Sequence, residues 1–283
     1  MTDLIPFPPA AAVAAAAVLG LAIGSFLNVV IHRLPRMLEA DWRTQCAELA
    51  GEAPAASPKY NLMVPRSACP SCGHALRARD NIPILSYLLL RGRCAFCGAR
   101  ISPRYPLVEG LTAALSAAAI AHFGATAAGG LALVLTWTLV ALAFIDADTT
   151  LLPDDLTLPL LWLGLAANLD STFVPLREAV IGAIVGYLAL WAIYWAFRLA
   201  TGKEGMGYGD FKLLAALGAW LGVKMLLPIV LLSSVVGAAA GLALIALARR
   251  GREVPMPFGP YLAAAGYLVL LSGPSLAKLV GIG

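Results

Sequence analysis

Apolar stretches that are long enough to cross a lipid bilayer recur along this 283-residue chain, and they restrict its fold more than any other feature. Only 13% of the residues are charged, whereas soluble domains carry about a quarter. A helix of about 20 predominantly apolar residues spans the hydrocarbon core of a membrane. The sequence therefore predicts an all-α, polytopic membrane bundle.

Eight apolar stretches are candidate transmembrane helices. They cover residues 10–31, 106–123, 131–145, 156–167, 179–199, 211–221, 225–248 and 257–279. Three of them contain a Gly-x-x-x-Gly pair, which favours close helix packing in membranes. The pairs are Gly20 and Gly24, Gly182 and Gly186, and Gly237 and Gly241. Ser25, Asn28 and His32 share one face of the first helix, so we expect them to contact protein rather than lipid.

The basic residues predict which side of the membrane each loop occupies. Residues 33–106 form the only sizeable polar region and hold 11 of the 20 Lys and Arg residues. Further basic residues border residues 198–212, and Arg249, Arg250 and Arg252 cluster in a later loop. The positive-inside rule places these loops in the cytoplasm and both termini outside. The sequence thus divides into a first helix (1–32), a cytoplasmic domain (33–106) and a membrane-embedded bundle (107–283).

Two Cys-x-x-Cys-Gly motifs lie in the cytoplasmic segment. Their cysteines are Cys69, Cys72, Cys94 and Cys97. This spacing is typical of a zinc-ribbon-like domain with a structural Zn²⁺ bound by four thiolates. Two disulfides are the alternative, but disulfides rarely persist in the reducing cytoplasm. Cys46 and His74 are predicted to lie outside the site, since four thiolates already complete a tetrahedron.

Two aspartates are predicted at the cytoplasmic edge of the membrane. Asp146 ends the stretch 131–145, and Asp210 follows a glycine-rich segment and precedes the stretch 211–221. Ionisable groups at such a depth are costly and usually functional. Two carboxyls in one partly desolvated site share a single proton, which is the arrangement of an aspartic protease. The alternative is that Asp210 only caps the helix that follows it.

Other residues near this pair have their own interpretations. Asp148, Asp154 and Asp155 compete for the role of Asp146, although the last two are interpreted mainly as helix caps. Gly207 and Gly209 are predicted to adopt positive φ angles, to turn the chain before a helix that begins at about Phe211, and to leave room for a substrate backbone. The alternative is that these glycines only relieve strain in the turn.

Six segments, taken in order, make the chain resemble the type IV prepilin peptidases, which are bifunctional leader peptidases and N-methyltransferases. They are Gly24 to Val30, the paired cysteine motifs, Arg104 to Glu109, Ile145 to Asp154, Gly205 to Lys212, and Pro257 to Pro260. The resemblance covers nearly the whole chain and includes the family's Gly-x-Gly-Asp motif. It implies that Asp146 and Asp210 are the catalytic aspartates.

The resemblance also implies a substrate, a cofactor and a location. The substrates would be prepilins and pseudopilins of type IV pilus and type II secretion systems, cleaved after a Gly at the end of a basic leader. The new N-terminus would then be methylated from S-adenosylmethionine, for which Glu109 is the candidate binding residue. The enzyme would lie in the bacterial inner membrane, in contact with lipid and not with nucleic acid, with its active site facing the cytoplasm.

Two other classes of protein remain alternatives. A proton-coupled transporter would also carry carboxylates in a helical bundle, but near the midplane and in repeated halves, and the sequence contains no such repeat. A non-enzymatic scaffold of a secretion system would need the cysteine domain but not two aspartates at one membrane edge.

Overall fold

The computed structural model describes residues 9–52, 59–248 and 256–279. The chain divides into two compact units, Met1–Ala125 and Thr126–Gly283. Within the described ranges the regular structure is helical, and the only extended pairings are two isolated β-bridges. The predicted all-α class is confirmed.

The first unit is built on two helices that pack closely. Helix α1 (Pro9–Leu49) and helix α3 (Arg104–Phe123) meet along the first glycine pair. A Cβ atom on Gly20 would lie 2.7 Å from the Cα of Ala113, and one on Gly24 would lie 2.7 Å from the Cα of Glu109. No larger residue fits between these backbones, so the predicted packing role of this pair is confirmed.

The polar face of α1 also contacts protein, as predicted. The side-chain amide of Asn28 donates to the backbone oxygen of Tyr105 at 3.1 Å, and Ser25 hydrogen-bonds to the carboxylate of Glu109. Helix α1 differs from the prediction in length, because it continues without a break from the apolar part into residues 33–49. Between α1 and α3 the described residues form a small domain that carries a 3-10 turn, Ala78–Asn81, and a short α-helix, α2 (Leu85–Leu89).

Among the described residues, the second unit contains six helices, and α7 is the central one. They are α4 (Ala127–Thr149), α5 (Asp154–Ala167), α6 (Leu176–Thr201), α7 (Tyr208–Leu221), α8 (Leu226–Ala248) and α9 (Gly259–Leu279). Helix α7 contacts α5, α6, α8 and α9, and its residues 210–221 are buried except for Lys212. A helix that is apolar on all sides belongs in such a core position.

Side chains that form hydrogen bonds with residues distant in the sequence hold α7 in this position. The indole N–H of Trp220 donates to the backbone oxygen of Leu160 at 2.8 Å. The amide of Asn168, which is fully buried, donates to the backbone oxygens of Ala219 and Trp220 and accepts from two backbone N–H groups. On the other side, the second glycine pair (Gly182 and Gly186) contacts the backbone of α7, which confirms its predicted packing role.

In the part of the chain that the structure describes, five helices are long and apolar enough to cross a membrane. They are Pro9–Leu49, Arg104–Phe123, Ala127–Thr149, Leu176–Thr201 and Val223–Leu244. Each of the eight predicted spans overlaps a helix, but α5 and α7 have only 14 residues each. Such helices are about 21 Å long, whereas the hydrocarbon core is about 30 Å thick. The predicted basic loop with Arg249, Arg250 and Arg252 lies outside the described residues.

Candidate active site

Asp146 lies in the last turn of α4 and is held by the start of α9. Its side chain is buried, and its Oδ2 accepts a hydrogen bond from the backbone N–H of Gly259 at 2.8 Å. A Cβ atom on residue 259 would lie only 2.7 Å from this oxygen. A glycine is therefore needed where the backbone of α9 approaches the carboxylate.

Asp210 is the third residue of α7. The N-cap of this helix is Gly207, which makes no side-chain cap hydrogen bond to the first turn. The interpretation of Asp210 as a helix cap is therefore wrong. The residue is only 8% exposed, and its Oδ1 is buried without a hydrogen-bond partner among the described residues. Because a buried carboxyl oxygen normally has a partner, this atom makes Asp210 a candidate functional residue.

Leu152 brings the surroundings of the two aspartates together. This buried side chain lies in the segment between α4 and α5. A Cβ atom on Gly209 would lie 2.7 Å from the Cβ of Leu152, and one on Gly259 would lie 3.1 Å from its Cδ2. The first turn of α7 and the start of α9, which binds Asp146, thus lie on either side of one leucine. The two carboxyls are close enough to interact electrostatically.

The glycines before Asp210 act differently from the prediction. Gly207 has an extended backbone with φ −81°, and Gly209 lies inside α7, which begins at Tyr208. Neither residue is among the described glycines with positive φ, so the predicted left-handed turn is wrong. Gly209 is small because Leu152 packs against it. At Gly207 no atom of the described residues lies within 4 Å of the position that a Cβ atom would take, so this residue has open space there.

The competing aspartates lie on the surface. Asp148 and Asp155 are exposed. Asp154 forms an ion pair, with its two oxygens 2.6 and 2.7 Å from the Nζ of Lys212. The N-cap of α5 is Pro153, and both Asp154 and Asp155 lie within its first turn, so the interpretation of these two residues as caps is wrong. The ion pair instead joins the first turn of α5 to the first turn of α7.

A network that the sequence analysis missed holds the loop between α6 and α7. Arg198 donates to the hydroxyl of Tyr194 at 3.1 Å, and this hydroxyl lies 3.4 Å from a carboxylate oxygen of Glu204. The ring of Tyr194 also packs against that of Tyr208, with centroids 5.3 Å apart. The only sequence signal was the position of Glu204 and Tyr208 within and beside the glycine-rich segment. Their partners lie in α6, and no spacing rule indicated them.

The four predicted cysteines converge in the first unit. One ligand atom from each of Cys69, Cys72, Cys94 and Cys97 lies within 4.8 Å of all the others, and no cysteine forms a disulfide. The sulfurs of Cys69 and Cys97 are 3.8 Å apart. Zn–S bonds of about 2.3 Å in a tetrahedron give a sulfur separation of about 3.8 Å. The disulfide alternative is therefore wrong, and the cluster can hold a metal ion.

Each cysteine pair sits on the same type of turn. The N–H of Gly73 donates to the backbone oxygen of Cys69, and that of Gly98 donates to the backbone oxygen of Cys94, at 2.9 and 3.0 Å. Both glycines have φ of 69°, which L side chains rarely adopt. His74 stacks on Phe96 with ring centroids 3.4 Å apart, and neither His74 nor Cys46 belongs to the cluster, as predicted.

The electrostatics of the cluster favour a bound cation. Backbone N–H groups of Cys72 and Ser71 lower the pKa of the Cys69 thiol to about 6, so this sulfur is a thiolate at neutral pH. Against a hydrogen bond from the backbone at Ala99, burial and the neighbouring thiols raise the pKa of Cys97 to about 11. A divalent cation offsets the repulsion among the sulfurs and so releases the remaining protons.

Glu109 is buried where α1 packs on α3. Its Oε2 accepts a hydrogen bond from the backbone N–H of Ile84 at 2.7 Å, and Ser25 supplies another. The residue thus connects α3 to the small cysteine-containing domain. The prediction that it binds the methyl donor stays a prediction.

Comparisons with known proteins follow the same division into two units. A family model described as the bacterial peptidase A24 N-terminal domain matches residues 18–123, and the type IV leader peptidase family matches residues 133–242. The prepilin leader peptidase/N-methyltransferase of Aeromonas hydrophila is 60% identical over 91% of this chain and 90% of its own. The protein of the same name from Pseudomonas aeruginosa is 52% identical over 98% of this chain and 96% of its own. No solved structure matches.

Proposed function

The chain belongs to the type IV leader peptidase family, and from this premise we propose that it is a bifunctional prepilin leader peptidase and N-methyltransferase. The two relatives that carry this name match the chain over almost their whole length. The observation that carries the proposal for the peptidase centre is the buried Oδ1 of Asp210, which lies near Asp146 and has no hydrogen-bond partner among the described residues. A leader that is rich in basic residues and ends in Gly is the proposed substrate segment.

Asp146 and Asp210 divide the work of acid and base in the proposed cleavage. The N–H that Gly259 donates to Asp146 stabilises a negative charge there, which suits the base that takes a proton from water. The water oxygen then bonds to the carbonyl carbon of the scissile peptide. Asp210 gives its proton to the carbonyl oxygen, which suits a carboxyl with an unpartnered oxygen. Breakdown of this intermediate breaks the C–N bond, and the departing amine takes the proton held by Asp146. As the C=O bond re-forms, one of the two hydroxyls of the intermediate returns a proton to Asp210.

The position of the pair favours an enzyme over a transporter. Asp146 lies in the last turn of α4 and Asp210 in the first turn of α7, so both are at helix ends rather than at the middle of a span. A transporter would be expected to carry such carboxylates near the midplane. Cleavage is proposed on the cytoplasmic face, in agreement with the basic residues of the adjoining loops.

The second proposed activity is methylation of the new N-terminal amine, with S-adenosylmethionine as the methyl donor. Glu109 is the candidate binding residue because it is a buried carboxylate of the unit that carries the cysteine cluster. Zn²⁺ is the proposed ion at Cys69, Cys72, Cys94 and Cys97. Its proposed role is structural, because it would hold the two cysteine turns together.

One experiment tests both activities. The purified protein in detergent is incubated with a prepilin, with and without S-adenosylmethionine, and the product masses are measured. We expect loss of the leader after its final Gly in both reactions, and the added mass of one methyl group only with the donor. A prepilin with a bulky residue in place of that Gly is the control and should stay intact. If the leader is not released, or if cleavage occurs at another bond, the peptidase assignment is refuted.

A further inference from the structure

Helix α2 of the first unit exposes three leucines that form a face, here termed the leucine face. Leu85, Leu88 and Leu89 are 50, 64 and 73% exposed. The other side of the helix packs inward through Tyr87. Its ring would be 2.9 Å from a Cβ atom on Gly92, and its hydroxyl donates to the backbone oxygen of Ile101 at 3.4 Å. The helix is therefore fixed to its domain, and the leucine face points away from it.

The residue before α2 ties it to the membrane helix α3. The backbone N–H of Ile84 donates to Oε2 of the buried Glu109, and the Cδ1 of Ile84 lies 3.5 Å from the position of a Cβ on Gly110. Ile84 has φ of 57°, which is strained for a β-branched residue. Such a conformation persists only when the surrounding contacts enforce it. The start of α2 is thus held against α3 at residues 109–110.

This attachment lies within the apolar part of the unit. Glu109 is about 7.5 Å along α3 from its first residue, Arg104. On the adjoining helix, Gly24 packs against Glu109, and the apolar sequence continues to Ile31, about 10 Å further along α1. Both α1 and α3 are long and apolar enough to cross a membrane. Measured along either helix, the start of α2 therefore lies on the apolar side of the first charged residue.

We propose that α2 inserts the leucine face into the acyl-chain region of the membrane that holds α1 and α3. Exposed leucines are costly in water and stable among lipid chains. Arg91 and Arg93, which follow the helix and are exposed, lie where they can bind the phosphates of anionic lipid headgroups. The occupant of the leucine face is therefore the lipid bilayer. The cysteine domain inserts part of its surface into the membrane and does not lie entirely in the aqueous phase.

Site-specific photo-crosslinking tests this proposal on the full chain in phospholipid nanodiscs. A benzophenone amino acid is introduced at Leu88, and in a matched control at Met63, which lies in the same domain and is 85% exposed. After irradiation, intact-protein mass spectrometry detects the added mass of one phospholipid, and peptide mapping detects cross-links to protein. Metal content and leader cleavage are measured for both variants, so that only folded protein is compared.

We expect a phospholipid adduct at position 88 at several-fold higher yield than at position 63. Replacing Arg91 and Arg93 by Gln should lower the adduct yield with anionic lipids more than with zwitterionic ones. Equal, low lipid labelling at the two positions would overturn the proposal. Cross-links from position 88 to another segment of this chain or to a second copy would overturn it as well, because they would identify a protein surface as the occupant.

Discussion

Substituting Gly209 by Ala tests whether close packing beside Asp210 sets the geometry of the site. The added Cβ would lie 2.7 Å from the Cβ of Leu152, whereas ordinary contact begins at 3.4 Å, so one of the two must move by about 0.7 Å. Leu152 is buried and also touches the Gly259 that binds Asp146, so the displacement reaches both carboxyls. Overpacking of this kind costs about 1–3 kcal/mol. If the cost falls on the transition state, leader cleavage slows about five- to 150-fold.

The assay is the initial rate of leader removal from a prepilin in detergent, with thermal unfolding followed in parallel. Gly207→Ala is the matched control, because residue 207 has open space and an ordinary φ of −81°. We expect it to cleave at nearly the wild-type rate. Adding Leu152→Ala to Gly209→Ala should recover part of the lost rate by removing the overlap. Equal rates for the two alanine variants, or a loss of stability that matches the loss of rate, would refute this reasoning.

Three further predictions concern the parts of the chain that support the site. Purified protein should hold about one zinc per chain by elemental analysis. A structural zinc site contributes roughly 10 kcal/mol or more of apparent binding energy, so Cys69→Ser, unlike Cys46→Ser, should weaken zinc binding and raise hydrogen exchange across the domain. Asn168→Ala leaves several buried groups unpaired at about 1–3 kcal/mol each, so the Tm should fall by at least several degrees. Tyr194→Phe should slow cleavage by about tenfold, whereas Tyr187→Phe should not, because only the first hydroxyl contacts the loop before α7. The zinc prediction fails if reduced protein contains no metal, and the Asn168 prediction fails if the Tm is unchanged. The Tyr194 prediction fails if the two Tyr variants cleave at equal rates.

The features that depend on local pattern could be predicted from the sequence. Hydropathy located a helix at each predicted span, and the Cys-x-x-Cys-Gly spacing indicated which four sulfurs converge. The spacing of Gly20 and Gly24 indicated a packing face, because a helix brings residues four apart onto one side.

Features that depend on contacts distant in the chain could not be predicted in this way. Leu152 explains why residue 209 is a glycine, but it comes from a segment far away in the sequence, so a local rule suggested a positive φ instead. Lys212 pairs with Asp154 across 58 positions, and local capping preference alone pointed to the wrong partner. The hydrogen bond from Gly259 to Asp146 spans 113 positions and became visible only in the folded unit.

The most direct test of the central claim is the leader-cleavage rate of Asp146→Asn and Asp210→Asn, compared with Asp148→Asn. Asp148 lies on the same helix as Asp146 but is exposed, so its substitution is the matched control. An amide can neither take a proton from water nor give one to the scissile carbonyl. We predict that each of the first two variants is inserted and folded but loses leader cleavage, while Asp148→Asn retains most of it. Near wild-type cleavage by either of the first two variants would remove that aspartate from the mechanism and contradict the account.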